Sequence, residues 1–287
     1  MARAILRAAR RLREFKPDVV VGVGGYGTVP PVIAAGTMGV PYVLLEQNAS
    51  PGRANRFLAA GAARIYAQWE AARPRFPGSG AKVLVTGSPL RARVRRIARE
   101  EALRRFGLED DLPVLAVVGG SQGSEALNRG VAESLDGTAK RLRILHVAGA
   151  GKVEAVEAAY RERGASAVVR EFVADMDALY SAADLVISRA GAMAIAELAT
   201  LDVPSVLVPI ARSSGDHQRE NARAAARTGG AILVEERDCA AGALTPILRR
   251  LADRDPAIEA MRGRLRPLAR PDAARRILED LGKVLEK

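Results

Sequence analysis

Cysteine and aromatic residues are scarce in this sequence. Its one cysteine, Cys239, excludes a disulfide framework and fits a reducing compartment such as the cytosol. Phe, Trp and Tyr make up only 4% of the residues, whereas nucleic-acid surfaces usually interleave aromatic with basic side chains. The net charge is +11, but the arginines are scattered over segments that also carry glutamates. We therefore expect a basic, solvated surface and no nucleic-acid partner.

Charged residues are absent between Asp18 and Glu46, a stretch long enough on paper to cross a bilayer. Six glycines and three prolines interrupt this stretch, and they would break a membrane helix repeatedly. We expect a strand, a Gly-rich loop, a helix and a buried strand here, and no membrane span.

A basic amphipathic segment precedes that stretch. Residues 3–16 combine five arginines and Lys16 with Ile5, Leu6, Leu12 and Phe15 at helical spacing. The pattern suits a helix that lies on an anionic membrane, although an ordinary surface helix has a similar pattern.

The second half of the sequence alternates regularly between apolar runs and helix-compatible segments. The apolar runs are 114–118, 142–147, 166–173, 184–188, 204–208 and 231–235. The helical segments are 121–135, 152–163, 176–182, 192–201 and 216–228. This alternation predicts a doubly wound, parallel α/β sheet.

A shorter α/β pattern occupies the first part of the chain. It predicts a helix at 2–15, strands at 18–22, 41–45, 64–67 and 82–85, and a helix after Pro30. The segment 86–96 contains Gly, Ser and Pro followed by arginines, so we place an interdomain linker there. We expect an N-terminal domain over 1–88 and a C-terminal domain over 89–270. Helices near 257–268 and 272–286 should end the chain, and the segment 271–287 should pack back on the first domain.

A Gly-rich turn follows the apolar run 114–118 and is typical of a phosphate site. It lacks the Gly-x-Gly-x-x-Gly pattern of nicotinamide-binding proteins, because Val118 takes the place of the first glycine. It also lacks the lysine of a Walker A loop. The alternative is an ordinary strand–helix turn in which Ser121 caps the helix.

Two further polar loops follow strands of the same predicted sheet. Glu197 lies in the second turn of a largely apolar helix, where it is either a solvated residue or an acceptor for two neighbouring hydroxyls such as a ribose diol. The third loop gathers Asp216, His217, Gln218 and Asn221 near a helix start. The carboxyl ends of parallel strands form a crevice in which α/β domains bind nucleotides.

Seven short segments, in order, resemble the MurG family of peptidoglycan N-acetylglucosaminyltransferases, in glycosyltransferase family 28. They are 17-PDVVVGVGGY-26, 45-LEQN-48, 87-GSPLR-91, 119-GGSQGS-124, 172-FVADM-176, 188-SRAGAMAIAE-197 and 216-DHQREN-221. The resemblance covers essentially the whole chain. It implies the GT-B fold, with two Rossmann-like domains that face a cleft, of which the N-terminal one is incomplete here.

The resemblance also implies roles for individual residues toward UDP-GlcNAc. Ser121 and Gln122 would meet the diphosphate together with Arg91, and the backbone of Val173 would read the uracil edge. Glu197 would hold the ribose hydroxyls. Asn48 would lie on the sugar side, and Gln218 would contact the GlcNAc hydroxyls. The residues implied to line the nucleotide are Ala192, Met193, Ala194, Ile195 and Ala196.

Two departures from the family concern the acceptor. The family's opening strand and its Gly-rich loop ending in histidine have no counterpart, so we expect the acceptor half to be incomplete. Leu45 stands where the family often has histidine. The catalytic base is therefore not identified, and His146 is expected to be structural because it lies on a core strand. We expect no metal held by the protein and no cofactor.

The expected activity is inverting transfer of GlcNAc from UDP-GlcNAc to lipid I at the cytoplasmic face of an anionic membrane, to which the protein would bind peripherally. Two alternatives stay open. A related GT-B enzyme could use another lipid acceptor, or the chain could be a non-catalytic fragment that binds nucleotide sugars.

Overall fold

The computed structural model describes residues 1–91, 94–211, 214–240 and 242–286, with the backbone only at residue 214. The chain forms two compact units. The first comprises Met1–Leu90, Ser214–Glu220 and Arg270–Lys287, and the second comprises Arg91–Ser213 and Asn221–Ala269.

The first unit is built on a four-stranded parallel sheet in the order β1-β2-β3-β4. Its strands are β1 (Val20–Gly22), β2 (Tyr42–Glu46), β3 (Arg64–Ala67) and β4 (Val83–Val85). Its helices in this part of the chain are α1 (Ala2–Phe15), α2 (Val29–Thr37) and α3 (Arg53–Leu58). Pro30 and Pro31 fall in the first turn of α2, where a missing N–H costs nothing. The expected break of the uncharged stretch into strand, loop, helix and strand is therefore confirmed.

The last helix of the chain packs on this first sheet. Asp280 of this helix accepts hydrogen bonds from Arg64 Nε (3.2 Å) and from the Tyr66 hydroxyl (3.0 Å), both on β3. Burial and the neighbouring Asp280 carboxylate raise the pKa of Tyr66 above its usual range.

The second unit is a six-stranded parallel sheet. Its strands are β5 (Val114–Val118), β6 (Arg143–Val147), β7 (Ser166–Arg170), β8 (Leu185–Arg189), β9 (Ser205–Val208) and β10 (Ala231–Leu233). The spatial order is β10-β9-β8-β5-β6-β7. The strands β5, β6 and β7 are added toward one edge of the sheet and β8, β9 and β10 toward the other, so the order of addition reverses between β5 and β8. The predicted doubly wound sheet is confirmed, and this reversal is its topological switch point.

Helices connect the parallel strands of the second sheet and cover it, which buries its central strands β5, β8 and β9. They are α4 (Arg99–Phe106), α5 (Glu125–Glu133), α6 (Val153–Glu162), α7 (Met176–Ala182), α8 (Ala192–Leu201), α9 (His217–Ala226), α10 (Glu236–Ala240) and α11 (Thr245–Ala252). Leu115, Val117, Leu127 and Ile187 are among the fully buried core side chains. The first residues of α9, up to Glu220, group with the first unit.

The predicted helix at 257–268 is wrong. Residues Pro256–Glu259 form only a short α-helix, α12, and Arg266–Leu268 form one turn of 3₁₀-helix. Gly263 between them has a φ of 83°, which a continuous helix does not allow. The final helix, α13 (Ala273–Leu285), forms close to its expected position.

None of the helices in the described part of the chain combines the length and apolar character that crossing a membrane requires. Helix α1 nevertheless exposes the large apolar side chains of Leu6 and Phe15, and Met1, which precedes it, is exposed as well. They lie beside its arginines.

Candidate functional site

Two loops flank the switch point of the second sheet. The turn after β5 leads into α5, and the loop after β8 leads into α8. Because β5 and β8 are parallel neighbours, both loops leave the sheet at the same edge. In open α/β sheets this is the place where nucleotides bind.

The turn after β5 requires glycine at two positions. Gly120 and Gly123 have φ values of 86° and 67°, and the Gly123 N–H donates to the Gly120 carbonyl at 2.9 Å. A Cβ atom on Gly123 would lie 2.0 Å from the Ala148 carbonyl oxygen at the end of β6. The turn is therefore held against the neighbouring strand end with no room for a side chain.

The cap of α5 is Ser124 and not Ser121, which corrects the alternative considered from the sequence. The Ser124 Oγ accepts a hydrogen bond from the Leu127 N–H at 3.3 Å, and α5 begins at Glu125. Ser121 and Gln122 lie instead at the exposed tip of the turn. Both residues therefore precede a helix N-terminus, which favours an anion.

A lysine that the sequence analysis did not single out also reaches this turn. The Lys152 ammonium donates to the Gln122 carbonyl at 2.9 Å. Lys152 precedes α6, and its neighbour Gly151 donates its N–H to the Glu171 carboxylate at 2.7 Å. In the sequence, Lys152 is visible only as a lysine that follows the strand after β5. Such a lysine is too common to identify a phosphate site.

The loop after β8 places a carboxylate near the same edge. The residues from Ala192 to Ala196 form the first turns of α8, as the predicted helix at 192–201 requires. The Ile195 side chain is fully buried, and Ala192 and Ala196 are buried too, whereas Met193 and Ala194 are half-buried. Glu197 is half-buried, and burial together with the charge of Glu197 raises the pKa of Tyr180 on α7 above its usual range.

Val173 lies between β7 and α7. Its side chain is buried, whereas that of its neighbour Phe172 is 69% exposed. An exposed aromatic ring of this size beside a backbone segment suits stacking on a flat base. Phe172 was part of a quoted motif, but the sequence did not indicate that its ring would be exposed.

Arg91 begins the second unit and has an exposed side chain. Its carbonyl accepts a hydrogen bond from the Val94 N–H at 2.9 Å. Residues 92 and 93 of the predicted linker fall outside the described residues.

In the first unit, Glu46 organises the loop that carries Asn48. The Glu46 carboxylate is 2% exposed and accepts four hydrogen bonds. Asn48 N (2.9 Å) and Asn48 Nδ2 (3.2 Å) donate to one oxygen, and Gly52 N (3.0 Å) and Asn55 Nδ2 (2.9 Å) donate to the other. These four bonds use the acceptor capacity of a carboxylate. Glu46 therefore fixes the loop and is poorly suited to act as a base.

Gln218 lies in the first turn of α9, in the part that groups with the first unit. The nearby residue Asp216 has a φ of 54° and accepts two hydrogen bonds from Arg219 Nη1, at 2.9 and 3.0 Å. His217 Nδ1 lies 2.8 Å from the Ser50 carbonyl oxygen and ties this segment to the Asn48 loop. Asn221, farther along α9, is buried and donates to the Ala190 carbonyl at 3.3 Å.

A cavity of about 310 Å³ opens beside these residues in the first unit. Its lining includes Tyr26, Glu46, Asn48, Asn55 and His217. It lies where β1 and β2 end, so the loops after both strands contribute to it.

His146 is structural, as predicted. Its ring nitrogens lie 2.6 Å from the Tyr160 hydroxyl and 3.0 Å from Asn128 Oδ1, and all three side chains are buried. Asn128 Nδ2 continues the chain to the Ala148 carbonyl. Burial lowers the pKa of His146 to about 3, so the ring stays neutral.

No three His, Cys, Asp or Glu side chains group together as a metal site in the portion of the chain that the structure describes.

Two family models match the chain. The glycosyltransferase family 28 C-terminal domain matches residues 114–277, and the glycosyltransferase family 28 N-terminal domain matches residues 1–67.

Relatives and solved structures agree with these matches. A UDP-N-acetylglucosamine--N-acetylmuramyl-(pentapeptide) pyrophosphoryl-undecaprenol N-acetylglucosamine transferase of Anaeromyxobacter dehalogenans (strain 2CP-C) is 40% identical over 283 residues, or 97% of this chain and 72% of the relative. A protein of the same name from Symbiobacterium thermophilum is 36% identical over 96% of this chain and 74% of the relative. The crystal structure of Acinetobacter baumannii MurG is similar with a TM-score of 0.79 and 29% identity, covering 98% of this chain and 78% of that one.

Two parallel-sheet α/β units, similar throughout to MurG, define a glycosyltransferase of the GT-B class. The same fold occurs in a UDP-GlcNAc 2-epimerase from Neisseria meningitidis (TM-score 0.70, 19% identity, 98% of this chain and 80% of that one). The chain belongs to glycosyltransferase family 28.

Proposed function

We propose that the chain transfers N-acetylglucosamine from UDP-GlcNAc to the undecaprenyl-diphosphate-MurNAc-pentapeptide lipid I, which forms lipid II in peptidoglycan synthesis. The names of the relatives support this reaction. The structural observation that carries it is the pairing of a Gly-rich turn and Glu197 at the switch point of the second sheet.

The donor's nucleotide is assigned to the second unit. The diphosphate is proposed to meet Ser121 and Gln122 at the N-terminus of α5, with Arg91 as a further cation, because helix N-termini and guanidinium groups both bind phosphate oxygens. Lys152 adds a positive charge to the same turn. This arrangement would also stabilise the UDP that departs during transfer.

The nucleoside is assigned to the loops after β7 and β8. The Val173 backbone would read the uracil edge, and the exposed Phe172 ring can stack on the base. Glu197 would accept hydrogen bonds from the ribose hydroxyls. Met193 and Ala194 remain the half-buried side chains of α8 that can line the nucleoside.

The sugar contacts are proposed for two residues of the first unit. Asn48 is held by Glu46, and Gln218 lies on a segment that His217 ties to the Asn48 loop. Amide side chains both donate and accept hydrogen bonds, which suits the hydroxyls of GlcNAc.

Transfer with inversion needs a base for the acceptor hydroxyl and stabilisation of the leaving group. The proposed diphosphate site of Ser121, Gln122 and Arg91 would stabilise the leaving group. No base is assigned, because Glu46 already accepts four hydrogen bonds and His146 is buried and neutral. The proposal includes no cofactor and no metal held by the protein.

A lipid acceptor calls for a protein that works at a membrane surface. We assign the membrane contact to α1, which carries Arg3, Arg7, Arg10 and Arg11 beside the exposed Leu6 and Phe15. Cationic and apolar side chains on one helix favour an anionic membrane surface. The proposed location is the cytoplasmic face of the cell membrane, without a span.

The reaction is tested with labelled UDP-GlcNAc and lipid I, followed by chromatography of the lipid products. We expect labelled lipid II, with release of one UDP for each sugar transferred. A second reaction offers diacylglycerol together with lipid I. Transfer of the labelled sugar to diacylglycerol, with no labelled lipid II, would show that the acceptor is a different lipid. Binding of UDP-GlcNAc without transfer to either lipid would support a non-catalytic binding protein.

A further inference from the structure

His217 is the second of the two histidines in the sequence, and it lines the cavity of the first unit. It is half-buried, whereas His146 is enclosed within the second unit. Imidazole is the side chain that most often transfers protons in enzymes. A histidine that borders a cavity is therefore a candidate for the acid–base step that the proposed reaction requires.

The contact of His217 with Ser50 fixes which ring nitrogen carries the proton. Nδ1 lies 2.8 Å from the Ser50 carbonyl oxygen. A carbonyl oxygen only accepts hydrogen bonds, so Nδ1 bears a proton and is the donor. In the neutral ring the other nitrogen, Nε2, then has a free lone pair. The hydrogen bond to Ser50 thus leaves Nε2 as the atom at which His217 can take up a proton.

Nε2 of His217 is open on the side of the cavity. Among the described residues, none forms a hydrogen bond with this nitrogen. Gly215 lies next to it, and a Cβ atom added to Gly215 would be 2.7 Å from Nε2. Glycine at this position, with a φ of 81°, therefore leaves the nitrogen uncovered. Gly215 and His217 both line the cavity, so a ligand there can reach this edge of the ring.

Two carboxylates also lie close to this part of the cavity. Glu46 accepts four hydrogen bonds within its own loop. Asp216, which precedes His217, accepts two from Arg219. Both carboxylates are therefore engaged with protein donors, whereas Nε2 of His217 is not.

The neighbours of His217 are the residues assigned to the transferred sugar. Gln218 follows it in the chain, and Ser50 belongs to the loop that carries Asn48. A sugar held by Asn48 and Gln218 would lie beside the ring of His217. The acceptor hydroxyl must approach the anomeric carbon of that same sugar to within about 3–3.5 Å.

We propose that His217 is the catalytic base of the transfer and that its Nε2 removes the proton of the acceptor hydroxyl. The O–H bond breaks and the proton moves to Nε2, while the acceptor oxygen forms the new bond to the anomeric carbon. The bond between that carbon and the UDP oxygen breaks, and its electron pair leaves with UDP. The imidazolium stays hydrogen-bonded to Ser50 through Nδ1 until it passes its proton to water. This inference rests on the proposed transfer of GlcNAc.

His217→Asn is the variant that tests this role. The Nδ2 group of asparagine can take the place of Nδ1 and donate to the Ser50 carbonyl, but asparagine has no basic nitrogen. We expect the variant to bind UDP-GlcNAc as tightly as the parent in calorimetry. Its turnover of lipid I should fall roughly 10²–10⁴-fold, the scale of general base catalysis.

Chemical rescue distinguishes a base from a residue that only supports the loop. In His217→Ala, added imidazole should restore part of the lost transfer rate, because free imidazole can enter the cavity and accept the proton. Asn48→Ala is the matched control, since Asn48 lines the same cavity but is assigned to bind the sugar. Imidazole should not restore the rate of this control.

The outcomes separate the base from the function on which it rests. If the parent makes no lipid II, the proposed transfer fails and the base fails with it. If the parent transfers GlcNAc and His217→Asn is equally fast, only the base is wrong. If the variants lose UDP-GlcNAc affinity and turnover in equal measure, and imidazole restores neither, His217 supports the sugar site and is not the base.

NMR of the parent with labelled histidine rings decides if the His217 variants do not fold. The chain has two histidines, so His146→Gln assigns the remaining ring signals to His217. At a pH at which the ring is neutral, the proton should reside on Nδ1. A proton on Nε2 of the neutral ring would overturn the proposal, because that nitrogen would then have no lone pair for the acceptor proton.

Discussion

The Lys152 ammonium group lies 2.9 Å from the carbonyl oxygen of Gln122, at the tip of the turn proposed to bind diphosphate. The contact both anchors the turn and brings a positive charge to it. Lys152→Met should therefore weaken UDP more than uridine, by about 0.5–1 kcal/mol for a partly exposed charge. Calorimetry with the two ligands measures the difference.

Lys140→Met is the control for this prediction, because Lys140 is a lysine of the same unit that precedes β6. It should leave the affinity for UDP unchanged. An equal loss of UDP and uridine binding in Lys152→Met would show that the lysine only supports the fold.

Gly123→Ala should destabilise the second unit and abolish tight UDP binding. The added Cβ would lie 2.0 Å from the Ala148 carbonyl oxygen, and alanine at a φ of 67° is strained by a further 1–2 kcal/mol or so. We expect a lower melting temperature together with the loss of UDP binding. Gly282→Ala, in α13 with open space around the added Cβ, should instead stabilise the protein by roughly 0.5–1 kcal/mol. A Gly123→Ala protein as stable as the parent would mean that the turn is not packed as described.

Stability should fall as the pH is lowered from 6.5 toward 3. His146 has a folded-state pKa of about 3 because it is buried, whereas in the unfolded chain it titrates near 6.5. Between these values the unfolded state binds the extra proton, so protonation favours unfolding by up to ~1.4 kcal/mol per pH unit. Above pH 6.5 this contribution does not change.

Urea unfolding of the parent and of His146→Gln, at intervals from pH 7 to pH 4, measures this slope. The glutamine variant does not titrate at this position and should show a shallower dependence on pH. Parallel curves for the two proteins would mean that His146 carries its proton in the folded state.

Vesicle binding tests the membrane role of α1. Replacing Arg3, Arg7, Arg10 and Arg11 with glutamine should release the protein from anionic vesicles, and added salt should do the same to the parent. Arg10 and Arg11 pair with Glu14 at 3.0 and 3.1 Å, but exposed pairs contribute little and should not prevent the contact. Phosphatidylcholine vesicles are the uncharged control. Unchanged binding of the quadruple variant to anionic vesicles would show that these arginines of α1 do not make the membrane contact.

Strongly periodic segments were predictable from the sequence. The predicted bounds of α1, β3, α7 and α8 agree with the structure. In α1 the apolar residues recur at helical spacing, and Pro17 follows closely after its end. The helices α3, α4, α10 and α11 were not predicted. The segment 257–268 was predicted as one helix because its apolar spacing suits a helix, but Gly263 adopts a positive φ there. Local pattern alone does not show where tertiary packing ends a helix.

The candidate site was predictable only in part. Glycine turns and polar residues after strands are visible in a sequence, so Ser121, Gln122 and Glu197 could be named. The contact of Lys152 with Gln122 joins different elements, and no spacing rule indicates it. The sequence did not show whether α5 begins after Ser121 or after Ser124. The cap could therefore not be assigned to Ser124 before the structure was known.

The most direct test of the account is calorimetry of the chain and of Glu197→Ala with UDP, UDP-GlcNAc, ATP and NAD. The account predicts that the parent prefers the two uridine nucleotides, and that Glu197→Ala weakens both by roughly 1.5–3 kcal/mol, the scale of hydrogen bonds to a charged group. Alanine keeps the helix propensity of α8, so the variant should fold. Tighter binding of ATP or NAD by the parent, or unchanged UDP binding by a folded Glu197→Ala protein, would contradict it.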